Sequence, residues 1–389
     1  MTEAEVKEQI ATHFGNMQDP RTLGRCEHKL ISIIVLAIFG VIAMCDDWED
    51  IEAYGKANQD WLKTFLELRN GIPSHDTLRR VFSLLDAQEF QRCFVGWVQS
   101  VFPMVKDQVI GVDGKQLRGS GDSRVSHSAL HVVSAWASAN EVVLGQIKVS
   151  EKSNEITAIP LLMRALNVAG ATVMADALNC QTDIAQSIVD GEAAYILAVK
   201  DNQPSLHQAV SQVFADAQAN GFDDIRGHDQ HASLTRDHGR VERRRCTIVT
   251  DPEFIHYIDP TQRWPALKTI IQVESERTVN GHTSLERRCY ISSRLAKASV
   301  FNTAIRVYWS VENGLHWTLD TAFNEDHQRH RRGHSAINFA VLRHMAVSLL
   351  KQERSSNDSI KVKRRRAAWT KDYLLSLFDL PPLAAGQTV

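Results

Sequence analysis

No Cys-x-x-Cys pair occurs anywhere in the 389 residues. The six cysteines (Cys26, Cys45, Cys93, Cys180, Cys246 and Cys289) are scattered. That excludes a zinc ribbon or a thioredoxin-like redox centre and fits a reducing cytoplasm better than secretion. Long apolar runs are lacking too. The longest, Leu30 to Cys45, is interrupted by Ser32 and Gly40 and falls short of the ~20 residues that span a bilayer. It reads as a buried core helix, so no membrane partner is expected. The opening residues Met1 to Gln9 are acidic and polar, unlike a secretory leader. There is no internal repeat, and the net charge is only −2.

What is present is ordinary for a globular chain: 43% hydrophobic and 23% charged residues, enough to bury a core without disulfides. The length suggests two to three domains. Charge is unevenly placed. Asp46, Asp47, Glu49 and Asp50 make an acidic patch near the front. Arg329, Arg331, Arg332, Arg343, Lys361, Lys363, Arg364, Arg365 and Arg366 make the back basic. Such asymmetry suits a local phosphate footprint, although a solvated helix face and a mobile basic tail would give the same composition.

Residues 1–104 read as a small all-helical domain. Ser74 is placed to cap a helix over His75 to Leu85, whose apolar stripe is Leu78, Val81, Phe82 and Leu85. A second helix is expected over Ala87 to Val101, with Pro73 and Pro103 as boundaries. From Gln108 the texture changes. Val109 to Asp113 is a short apolar run ending in an acid. Leu130 to Trp136 and Val142 to Val149 read as the next two strands of an antiparallel meander. Ile156 to Leu166 is helical, Ala171 to Asp176 is again a buried strand ending in aspartate, Gln181 to Val189 is helical, and Tyr195 to Val199 is a strand. Three strands, helix, strand, helix, strand is the order of a ribonuclease-H-like α/β core. Its first part is assigned to residues 105–204. Residues 205–295 read as a β-rich insertion: a helix over Leu206 to Ala219, a polar loop, and strands over Arg240 to Val249, Thr269 to Glu274 and Leu285 to Ser292, with Asn280-Gly281 as a hairpin turn. The core's C-terminal helices are expected in 296–352, as one long helix over Ala304 to Phe323 and another over Ala336 to Leu350. Residues 353–389 remain as a basic tail, with Pro381 to Val389 frayed.

Two strands that end in aspartate, followed by a helix bearing an acid, form a chemical constellation. Phosphoryl transfer on DNA needs an activated water or 3′-hydroxyl, a stabilised leaving oxygen and charge neutralisation. Two magnesium ions about 3.5–4 Å apart supply all three, and magnesium prefers carboxylate oxygens. Asp113 would bridge both ions and Asp176 would hold one. Aspartates after strands are also common turn formers and helix caps, so position alone is weak evidence. Spacing does not choose the third acid among Glu312, Asp320, Glu325 and Asp326.

Local words do choose. Tyr308-Trp309-Ser310-Val311-Glu312-Asn313-Gly314-Leu315-His316-Trp317-Thr318-Leu319-Asp320 resembles the block around the catalytic glutamate of the H-repeat-associated insertion-sequence transposases, DDE-class enzymes with a β-insertion before that glutamate. Gly111 to Ser120 is similar to their first-aspartate block, and Ala175 to Gln181 to their second. Glu151-Lys152-Ser153-Asn154-Glu155-Ile156, Leu197 to Gln203 and His238-Gly239-Arg240-Val241-Glu242 match as well. The helical front resembles the N-terminal domain associated with that family. The likeness runs from about residue 8 to 350. It implies a ribonuclease-H-like fold and metal-dependent cleavage and strand transfer of element-end DNA. Asp113, Asp176 and Glu312 would be the ligands of two Mg²⁺ ions, with Mn²⁺ able to substitute. One departure stands out. The wider class often has tyrosine, arginine and lysine around its glutamate, where this chain has Ile305, Tyr308 and Leu319.

The partner implied is double-stranded DNA, both element ends and target, bound by a homodimer in the cytoplasm. Candidate phosphate contacts are Lys115 and Arg118 after the first aspartate, and Gln181 at a helix N-terminus. Lys200, Asn202 and Gln203 follow the next strand. Arg240, with Arg243, Arg244 and Arg245, lies on a strand that would carry such charge harmlessly at an edge. Arg306 and His316 flank Glu312; Glu312, His316 and Asp320 would share one helix face. Arg329, Arg331 and Arg332 interrupt His327, His330 and His334, favouring phosphate over zinc. Three alternatives stay open: a domesticated DNA-binding copy without transposition, a structure-specific nuclease on the same fold, and a two-metal hydrolase acting on something other than nucleic acid.

Overall fold

The computed structural model describes residues 1–379 except 23, 25, 103–106, 122–127, 150–153, 224 and 238–239, and the backbone alone of Asp237. The boundary at Pro103, the Glu151-Lys152-Ser153 and His238-Gly239 parts of two family words, and the end from Pro381 lie outside the described residues.

Among the described residues, six helices precede the first strand, from Glu3–Phe14 to Ala87–Val101. Then come β1 (Val109–Leu117), β2 (Leu130–Ala137), β3 (Val142–Lys148), a helix over Glu155–Ala165, β4 (Thr172–Ala175), a helix over Thr182–Asp190 and β5 (Ala194–Val199). This is the ribonuclease-H-like succession expected from the sequence, in a mixed α/β fold with a helical front. Four more strands follow the helix Pro204–Ala219: β6 (His228–Asp237), β7 (Arg240–Val249), β8 (Thr269–Val279) and β9 (His282–Ser292). Two compact units result. The first comprises Met1–Met104, Gly114–Lys152 and Val311–Val389; the second comprises Val105–Asp113 and Ser153–Ser310.

In the first unit the helix Leu30–Ile42 is buried almost all round, as its strongly apolar sequence requires. The helices His75–Leu84 and Ala87–Val101 begin where their caps dictate. Ser74 accepts from the Thr77 amide and Asp86 from the Glu89 amide, relieving orphan donors at each start. The helix Ser335–Gln352 is buried from Ile337 to Leu350. Asn338 Nδ2 donates to the carbonyls of Phe82 (2.9 Å) and Leu85 (3.0 Å), closing the end of His75–Leu84. Ser348 Oγ accepts from the Val143 amide at 3.1 Å, and Gln146 Nε2 donates to the Ile337 carbonyl at 3.1 Å. These bonds dock the antiparallel β2–β3 hairpin.

The basic stretch after residue 353 is a correction to the expected mobile tail. Ile360–Trp369 and Lys371–Ser376 are helices. Arg364 is fully buried and donates to the Val41 carbonyl and to Asp46, each at 2.8 Å. Its guanidinium also lies 4.0 Å over the Phe323 ring. A charge is tolerated inside only when paired and hydrogen-bonded. Here it satisfies the Val41 carbonyl that the end of the helix Leu30–Ile42 leaves open, and the Ala322 carbonyl.

In the second unit the strand order is β1-β4-β5-β9-β8-β7-β6. β1, β4 and β5 are parallel, and β9 joins β5 antiparallel. The segment read as an insertion therefore extends the same sheet. β8 and β9 turn at Asn280-Gly281, both at positive φ (50° and 80°), as a two-residue hairpin demands. β6 occupies part of what the sequence suggested was a polar loop. β7 runs between β6 and β8, so its arginines are not on an edge as expected, and Arg244 is buried. The helix Ala298–Tyr308 lays Ala298, Phe301, Ala304 and Ile305 onto a core containing Met174, Ile196, Ile248, Ile271 and Tyr290. The single helix expected over Ala304 to Phe323 is instead interrupted. It stops at Tyr308, Val311–His316 is π-helical, and Trp317–Ala322 is α-helical. No described helix is long and apolar enough to cross a membrane.

Candidate active site

Asp113 and Asp176 come together by register. β1 and β4 run parallel from Val109↔Thr172 to Val112↔Ala175, so each aspartate is the next residue past the last pair. The preceding residues Ile110 to Val112 and Thr172 to Ala175 are buried, as parallel strands covered on both faces require. One detail differs from expectation: β1 does not end at Asp113 but continues to Leu117.

The loop after β4 is braced from several sides. Asn179 is fully buried. Its Nδ2 donates to Asp176 Oδ1 at 2.8 Å and to Glu155 Oε2 at 2.9 Å, and its amide also donates to Asp176 Oδ1 at 3.1 Å. Glu155 is the first residue of its helix, and Gln181 is the N-cap residue of Thr182–Asp190. Gln203 Nε2 donates to the Cys180 carbonyl at 3.0 Å, and Asn202 Nδ2 donates to the Ala177 carbonyl. Of the candidate DNA contacts, Gln181, Asn202 and Gln203 are thus gathered around the Asp176 loop, while Lys200 is exposed at the end of β5.

Tyr308 is the other group at this place. Its hydroxyl donates to the Val112 carbonyl at 3.4 Å. Burial, and then the charges of Asp113 and Asp176, push its pKa well above the usual phenol value. It stays protonated, a neutral donor beside two acids. Sequence reading noted Tyr308 only as a departure from the wider class, and gave no role to Asn179 or Glu155. Glu155 follows a strand and opens a helix within a family word, which was the available signal.

Glu312 belongs to the first unit and is exposed in the π-helical stretch. Asp320 pairs with Lys115. Lys115 also reaches Glu325 at 2.9 Å, and Glu325 lies 3.5 Å from the buried Arg343. Burial lowers the His316 pKa to about 4, with Lys115 adding to the effect, so its ring is neutral near pH 7. Lys115 and His316 are therefore engaged or uncharged, whereas Arg118, 3.6 Å from Asp326, keeps its side chain 78% exposed. Arg329 and Arg332 are exposed as well, and Arg331 Nε donates to the Gly119 carbonyl at 3.2 Å. His330 is buried against Trp48 and Phe339. In the second unit, Arg306 is exposed on its helix and Arg240 opens β7.

Among the described residues, no group of three or more His, Cys, Asp or Glu side chains is placed to hold a metal ion. The paired Asp113 and Asp176 offer carboxylate oxygens only, a donor set that fits a hard cation such as magnesium.

Comparison with known proteins gives the family. The family described as DDE_Tnp_1-associated matches residues 11–98, and the transposase DDE domain family matches residues 78–349. The "H repeat-associated putative transposase YhhI" of Escherichia coli (strain K12) is 38% identical over 372 residues, 95% of this chain and 97% of that one. The "Putative transposase YncI" of Escherichia coli O157:H7 is 38% identical over 370 residues, 94% of this chain and 93% of that one. A solved piggyBac transposase synaptic complex with hairpin DNA matches at 11% identity and a TM-score of 0.43, over 100% of this chain and 85% of that one. With a helical front and a DDE domain matched in sequence over most of its length, the chain belongs to the H repeat-associated branch of the transposase DDE domain family.

Proposed function

We propose that the protein cuts and joins DNA at the ends of an insertion sequence. Asp113, Asp176 and Glu312 would hold two Mg²⁺ ions, for which Mn²⁺ would substitute. The observation that carries this reading is the parallel register that sets Asp113 and Asp176 side by side. Glu312 enters through family membership and its place in the Tyr308 to Asp320 block. When bound, the ions supply activation of the attacking hydroxyl and neutralisation of phosphate charge. The chain's own residues do the rest. Asn179 and Tyr308 position groups beside the aspartates. Gln181, Asn202 and Gln203 shape the loop that meets the backbone. Lys200, Arg306, Arg118, Arg329 and Arg332 offer exposed charge to phosphates, and Arg240 and Arg331 would add theirs. The ion pairs of Lys115 and the neutral state of His316 recommend these two as supports. Joining two ends in one event calls for two copies on DNA, and the DNA substrate places the work in the cytoplasm.

The test is Mg²⁺-dependent nicking and joining of DNA carrying the element ends. Asp113→Asn, Asp176→Asn and Glu312→Gln should each abolish both reactions while leaving DNA binding intact. Undiminished cleavage by all three variants would sink the assignment.

A further inference from the structure

The side chain of Asn179 has no apolar reason to be buried, yet it is wholly enclosed between two acids. Ionised carboxylates only accept hydrogen bonds. Asn179 must therefore turn its NH₂ toward Asp176 and Glu155, one hydrogen to each, at 2.8 and 2.9 Å. The Asn179 amide adds a second bond to the same Asp176 oxygen, Oδ1, at 3.1 Å. Asp176 is thus held by one oxygen, and its rotation about the carboxyl carbon is stopped. The Glu155 end is anchored independently, at the first turn of Glu155–Ala165, where the helix terminus favours a negative charge.

We propose that Glu155 and Asn179 form a positioning relay: Glu155 fixes the Asn179 amide, and Asn179 fixes the Asp176 carboxylate so that Oδ2 is presented to a divalent cation. This rests on the reading of Asp176 as a metal ligand. Neither residue touches substrate in this scheme. Outer partners of this kind orient the ligand, and their loss typically weakens metal binding about 10–100-fold.

The experiment is Mn²⁺ binding to the full-length protein without DNA, read from the electron paramagnetic resonance of free Mn²⁺, with thermal melting recorded in parallel. Asn179→Ala should weaken Mn²⁺ binding at least about tenfold. Glu155→Ala should weaken it severalfold. Glu155→Gln, whose carbonyl still accepts from Asn179, should recover most of the wild-type affinity. Glu155 sits at a helix start and is only half-buried, so its variants keep the test valid should Asn179→Ala fail to fold. Unchanged binding in Glu155→Ala overturns the relay. So does a Glu155→Gln variant as weak as Glu155→Ala, because that would make Glu155 a direct ligand. If the wild type binds no better than Asp176→Asn, the metal reading of Asp176 falls and the relay falls with it.

Discussion

The Lys115 ammonium lies 2.9 Å from Glu325, a carboxylate whose side chain is 1% exposed. Burial alone would drive that carboxyl toward its neutral form. Lys115, Arg343 and His344 outweigh it, and the Glu325 pKa is lowered. The pair is a buried one whose members cannot be removed singly without leaving a charge behind. Lys115→Met should therefore destabilise the fold by roughly 3–5 kcal/mol, measured by urea denaturation. Lys115→Met with Glu325→Gln should lose less than the sum of the two single variants, although Arg343 is then left without its carboxylate. Two additive losses would contradict the coupling.

Acid should weaken the first unit before it reaches the carboxylates. Burial lowers the pKa of His316 and of His344 to about 4 and that of His330 to about 3. Each is below its unfolded value, so the unfolded chain binds more protons and stability falls as pH drops below about 6.5. Each histidine contributes a slope of about 1.4 kcal/mol per pH unit between its unfolded and folded pKa values. His330→Phe keeps the stacking on Phe339 and should flatten the pH 5–7 stability profile by about that slope. An unchanged profile would refute the assignment of His330 as buried and neutral.

Salt dependence separates DNA-contacting charges from structural ones. Lys200 and Arg306 are exposed. Replacing either with alanine should lower the slope of log K against log salt by about 1, seen in fluorescence anisotropy titrations at several ionic strengths. A slope equal to wild type in both would remove these residues from the interface.

Gly333 adopts φ +53°, and a Cβ there would meet the Ser83 carbonyl oxygen at 2.3 Å. The same carbonyl accepts from the His334 amide at 3.0 Å. Gly333→Ala combines strain at positive φ with a backbone clash and should cost roughly 1–3 kcal/mol, visible as a lowered Tm. A wild-type Tm would show that the turn yields.

Much of this architecture was legible in the chain. Ser74 and the apolar stripe of His75–Leu84 announce a helix because capping and 3.6-residue periodicity are local. Asn280-Gly281 announces a hairpin for the same reason. What stayed hidden depends on distant partners. β6 has no apolar alternation, since its residues lie at a sheet edge and are half-buried or exposed. The π-helical stretch around Glu312 leaves the helical pattern of its residues unbroken on paper. Arg364 looked like tail charge because nothing local reveals that Asp46 and Val41 await it. At the site, the apolar runs ahead of Asp113 and Asp176 were readable as strands, whereas the Glu155–Asn179–Asp176 chain of hydrogen bonds joins residues 24 apart.

Arg364 also imposes an order of assembly. Its contact with Val41 spans 323 residues, so the Val41 carbonyl waits for a donor made much later in the chain. Long-range closures of this kind form late. A product ending before Ser359 would leave that helix uncapped and Asp46 unpaired. The first helical layer therefore depends on a guanidinium supplied from far along the sequence, so the segment around Arg364 is a structural part of the helix Leu30–Ile42 and Asp46 rather than an appendage to them.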